Sequence, residues 1–135
     1  MAGNFFGFFL ILHGVVHMLY FGQSQRYFEL QPGMTWPDNS WAFSSIFGAD
    51  QTRLLASLIL VVTAIGFAAS GLGIFVSKAW WRPIAITAAI LSSLLYVLFW
   101  DARLQHLDNQ GFVGILISQM LLVAILVVQK PSFEF

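Results

Sequence analysis

Two histidines, His13 and His17, stand four residues apart in the run LILHGVVHMLY. On a helix that spacing puts both imidazoles on one face. Tyr20 falls on the same face one turn further on. Imidazole titrates near neutral pH and is a common metal ligand, so three chemistries arise. A heme iron needs axial ligands on opposite faces of the ring, which two residues on one helix face do not supply. A heme would need His106 to fold inward, or a second subunit. A metal ion is better served, because i, i+4 histidines grip one ion in H-E-x-x-H helices. Here the intervening residues are Gly-Val-Val, with no glutamate base. The completing ligands would be Asp101, His106, Asp38 or Asp108, with His17 better placed than His13. The third chemistry is an apolar pocket with a few converging polar groups. His13, His17, Tyr20 and Tyr96 would hold the head of a quinone or lipid, and Phe5, Phe6, Phe8 and Phe9 its tail. Against all three stands the plain alternative that the histidines are internal hydrogen-bonding struts.

The elements that position these residues follow from composition. The chain has 135 residues, 59% hydrophobic and only 9% charged. A soluble domain carries about 25% charged residues, so another solvent must cover much of this surface. Net charge is zero and no basic patch suggests nucleic acid. Cysteine is absent, which removes disulfides and thiolate chemistry. No nucleophile–base pair or phosphate loop is recognisable.

A bilayer-spanning helix needs about 20 apolar residues. Four runs qualify, at roughly 4–22, 51–76, 80–100 and 111–129. A signal peptide is the competing reading of the first. It lacks a basic leading region and contains both histidines, so it reads as a retained span. Lys78 lies in a tight hairpin between the second and third runs, and Pro83 suits the first turn of the third. Only the connection over 23–50 is long. Its prolines, its aromatic residues and the segment WPDNSW predict a folded cap, with a short helix near Ser40–Phe47. Tryptophans 36, 41, 80, 81 and 100 fall near span ends, as interfacial aromatics do. The fold expected is an all-α antiparallel four-helix membrane bundle with a structured loop between its first two helices.

Four spans put both termini on one side, with Lys78, Arg82 and Lys130 there and Arg26, Arg53 and Arg103 opposite. We expect cytoplasmic termini, though the basic residues are balanced. Small residues let membrane helices approach closely. Gly3, Gly7 and Gly14, then Gly66, Ala69, Ser70 and Gly73, then Gly111, Gly114 and Ser118, form such seams. They fit a compact bundle or an oligomer interface equally.

Span midpoints place His13, Thr63, Ser92 with Ser93, and Gln119 at mid-membrane. His17 lies about 6 Å nearer the long loop, at the depth of Tyr96. Beyond come Tyr20 and a charged mouth of Asp38, Arg53, Asp101, His106 and Asp108. Ionisable groups within spans are a functional hypothesis by default. No carboxylate sits in mid-membrane, which counts against a proton-coupled exporter.

HGVVHM, the WPDNSW loop and AWWRPIAITAAILSSLLYVLFWD together resemble a group of small bacterial four-span membrane proteins. Their first helix carries HGxxH, and their third opens at WWRP. The size and span pattern also resemble DoxX-like proteins in architecture, a name associated with quinone-linked oxidoreductase subunits. The resemblance implies the four-span fold, a bacterial inner membrane and weight on His13 and His17. It carries no reaction. The expectation is an accessory, non-catalytic membrane protein that binds a quinone or lipid. The alternatives are a subunit of a larger membrane complex, possible also as a homo-oligomer, and a metal-dependent membrane enzyme using His17, Asp101 and His106.

Overall fold

A computed structural model describes residues 2–29, 36–100 and 112–128. The described residues form helices joined by turns, without strands. Helix α1 spans Ala2–Ser24, α2 Ser44–Phe75, α3 Trp81–Leu98 and α4 Phe112–Leu122, which continues as a π-helical segment over Val123–Val128. The first three are long and apolar enough to cross a membrane, and the fourth, over Gly114–Val127, is apolar but shorter. Each apolar run expected from sequence is therefore a helix.

Helix α2 begins seven residues before the expected span. It is broken at Gly48, whose φ of 79° and ψ of 169° lie outside the helical region. Only glycine adopts that conformation readily. The break sets the turn Ser44–Phe47 apart from the long apolar stretch, so the short helix expected near Ser40–Phe47 exists in part.

The C-terminal ends of α1 and α2 each close with a residue in the left-handed region. Tyr27 N–H bonds Gly22 O and Arg26 N–H bonds Gln23 O, each at 3.0 Å. Lys78 N–H bonds Gly73 O at 2.8 Å and Ser77 N–H bonds Ile74 O at 3.0 Å. These are Schellman closures, which satisfy the last carbonyls of a helix. Arg26 (φ 61°) and Ser77 (φ 55°) occupy the position that usually takes glycine.

Helix pairs run in opposite directions. A Cβ on Gly7 would meet Gly71 O at 3.0 Å, and one on Gly14 would meet Ala64 O at 2.9 Å. At the far end Ser24 meets Ser57, Oγ to Oγ, at 2.6 Å. Gly66 approaches Ala88, and Gly73 lies against Trp80 and Trp81. Gly114 sits on the ring of Tyr96. Gly7, Gly14, Gly66, Gly73 and Gly114 of the small-residue seams thus pack against neighbouring helices of the same chain, while Gly111 lies outside the described residues.

The core forms two apolar clusters. One contains Leu10, Phe67, Ile74, Trp81, Ala85, Ala88, Ala89, Leu121 and Ile125. The other contains Trp36, Ala56, Leu60, Leu95, Tyr96 and Phe99. Between them in sequence, on every helix, lies a buried polar residue: His13 and His17, Thr63, Ser92 and Ser118.

Gly71→Ala should destabilise the protein by about 1–3 kcal/mol, because its Cβ would fall 2.5 Å from Gly7 O. Ser77→Gly, at an exposed left-handed position, should stabilise it by about 0.5–1 kcal/mol. Thermal unfolding of both variants in mild detergent checks the pair of signs. Equal or reversed signs would refute this packing.

Candidate functional site

His13 and His17 are 3% and 0% exposed. Both rings pack on Phe67, with centroids 4.6 Å and 5.3 Å away, and they meet each other edge to face at 4.8 Å. A carbonyl can only accept, so the 2.8 Å contact of His17 Nδ1 with His13 O fixes the proton on Nδ1. In a neutral imidazole Nε2 is then the acceptor, and Ser92 Oγ, at 2.8 Å, must donate to it. Ser92 has one proton, so it accepts from Ser118 Oγ at 2.9 Å. Ser118 in turn accepts from His13 Nε2 at 3.3 Å. The result is a closed circuit in which every hydrogen points the same way around. It joins α1, α4 and α3 and returns to α1.

The circuit leaves His17 without a spare nitrogen. Thr63 occupies the matching layer on α2, fully buried, with its hydroxyl unpartnered among the described residues. Gln119, placed by the sequence in the same layer, is exposed and donates to Ser93 Oγ at 2.7 Å, while its neighbour Ser118 makes the contact with His13.

One layer toward the cap the chemistry changes. Tyr20, Trp36 and Tyr96 form an aromatic cluster with centroids 5.3 to 5.7 Å apart. Tyr96 is 0% and Trp36 1% exposed. Among the described residues neither Trp36 Nε1 nor the Tyr96 hydroxyl has a hydrogen-bond partner. Trp36 was expected at the interface as a belt residue. It is buried because its segment is tied to the end of α3 by three hydrogen bonds. Trp41 Nε1 donates to Val97 O at 2.7 Å and Ser40 Oγ to Leu98 O at 2.6 Å. Trp41 N–H also bonds Trp100 O at 2.8 Å. The WPDNSW segment thereby caps the carbonyl end of α3, whose last turn has no partners of its own.

Charge fixes the other side of the cap. Asp38 takes Arg26 at 2.7 Å and Arg53 through both carboxylate oxygens at 3.1 Å. Asp50 approaches Arg53 at 3.8 Å. Arg26 also donates to Trp36 O at 3.2 Å. So Asp38 and Arg53 of the expected mouth come together, with Arg26 added. Asp101, His106 and Asp108 lie outside the described residues. Among the described residues no three His, Cys, Asp or Glu side chains converge as metal ligands. The phenylalanines taken as tail contacts divide. Phe5 and Phe8 line an open groove of about 380 Å³ with Asn4 and Phe75, and Phe6 packs on Trp81. That groove lies fifteen residues from Tyr20 on α1, about 22 Å along the helix.

No known protein family, curated protein or solved structure matches the chain.

If the circuit is one unit, Ser92→Ala and Ser118→Ala should each cost about 0.6–2 kcal/mol, and together clearly less than their sum. The double-mutant cycle, read from unfolding in mixed micelles, checks this. Strict additivity would mean separate hydrogen bonds rather than a circuit.

Proposed function

We propose that the chain is a four-span, antiparallel membrane bundle that binds an apolar ligand with a polar head, without catalysing its conversion. The observation that carries the reading is the pair of buried, unpartnered groups at the capped end, Trp36 Nε1 and the Tyr96 hydroxyl. Each orphaned polar group costs about 1–3 kcal/mol. Two in one aromatic cluster are a standing demand for an occupant. Tyr20 completes the cluster, and the Asp38–Arg26–Arg53 group forms its charged rim. His13 and His17 hold the helices beneath it, so within this reading they support the site rather than line it.

The head of a quinone or lipid would answer both groups, because a ring carbonyl or ester oxygen accepts from the indole and from the phenol. The bacterial inner membrane and the cytoplasmic termini belong to the same reading. A membrane location is supported by the three spanning-length helices, and a bacterial one by the HGxxH and WWRP resemblance.

Native mass spectrometry from mild detergent tests it. The wild-type protein should carry a discrete lipid- or quinone-sized mass, and Tyr96→Phe should lose it while Ser93→Ala keeps it. The ligand-free Tyr96→Phe protein should also be more stable than ligand-free wild type by about 1–3 kcal/mol, since it removes an orphaned hydroxyl. A bare wild-type protein, or an adduct indifferent to Tyr96→Phe, would overturn the assignment.

A further inference from the structure

Gln119 presents its amide on the outside of a helix read here as crossing the bilayer. Its Nε2 donates to Ser93 Oγ at 2.7 Å. Ser93 spends its own proton on Ala89 O at 2.9 Å, so its oxygen must accept, and the amide nitrogen must be the atom facing it. That fixes the amide orientation. It leaves Gln119 Oε1 and one N–H pointing away from Ser93, with no other partner among the described residues. Acyl chains can satisfy neither.

The amide sits in an apolar patch spread over two helices. Its neighbours one turn away on α4 are Leu116 and Val123, 46% and 51% exposed. The neighbours of Ser93 on α3 are Ile90 and Val97, 44% and 47% exposed. A patch with one donor and one acceptor at its centre is self-complementary. Across a two-fold axis each Oε1 accepts the N–H of the other copy, so both leftover groups of both copies are satisfied at once. A partner without a matching acceptor and donor at this depth would satisfy only part of the demand.

We propose that this face of α3 and α4 pairs with a second copy of the chain, centred on Gln119. The dimer does not depend on the ligand reading. Gln119 faces outward while the Tyr96 cluster is buried, and the two can be tested separately.

The chain has no cysteine, so single cysteines report contacts cleanly. In vesicles at low protein-to-lipid ratio, Val123→Cys should cross-link to itself on oxidation. Val62→Cys should not: it is equally exposed, on α2, beside the mid-layer Thr63. Adding Gln119→Leu to Val123→Cys should sharply reduce the cross-link. In a fluorescence-transfer titration it should raise the dimer dissociation constant roughly 3- to 30-fold. Helical circular dichroism should be unchanged, since the Gln119 side chain is not part of the core. Equal cross-linking at both positions would indicate random collision and overturn the proposal. So would no cross-link at either, or a Val123→Cys cross-link indifferent to Gln119→Leu.

Discussion

The hydrogen-bond circuit through His13, Ser118, Ser92 and His17 is the constraint on which the rest of the structure depends. Dispersion packs apolar helices in a bilayer without fixing their register, because lipid is as apolar as leucine. A one-directional ring of hydrogen bonds between three helices has only one register. Sliding α1, α3 or α4 by a turn would break two of the three interhelical bonds of the ring and leave their buried polar groups without partners, at a cost of several kcal/mol. The two apolar clusters can therefore be loosely patterned, since the layer between them sets the alignment.

The glycines and the cap follow from this. For His13 to reach Ser118 while both histidines pack on Phe67, α1 must lie close against α2. That closeness is supplied at Gly7, Gly14 and Gly71, where backbone meets backbone. Close packing leaves the carbonyl end of α3 to be satisfied from outside the bundle. Trp41 and Ser40 do so, and the Asp38 ion pairs hold them in place. The strained left-handed backbone at Arg26 makes sense in the same terms. Glycine would fit the turn more easily, yet only arginine also reaches Asp38 and Trp36 O.

The helices were legible because apolar length is a strong signal, and the layer shared by His13, Ser92 and Ser118 was legible because rise per residue is constant. Facing was less so. A helix turns about 100° per residue, so a midpoint at Gln119 gives the layer but not that Ser118, one residue away, is the side chain facing His13. Ser118 was visible only as a small residue in a seam. Trp36 was misplaced for a different reason. Tryptophan near a span end is ordinarily interfacial, and the long-range bonds from Trp41 and Ser40 to α3 that bury it leave no local pattern. Nor does the break at Gly48 stand out among eleven glycines. Asp101 and His106, part of the expected mouth, are outside the described residues.

In water a leftover hydroxyl or amide carries little information, since solvent satisfies it. Inside hydrocarbon each leftover is a statement about what else must be present. The histidines, the strongest functional signal in the sequence, leave no such demand at His17, because the serines close the ring. Among the described residues the leftover groups lie instead at Thr52, Thr63, Tyr96 and Trp36, all buried, and at Gln119, which is exposed. Chemically expressive residues can thus be the struts. In an apolar solvent, what distinguishes them is whether every donor and acceptor has been accounted for.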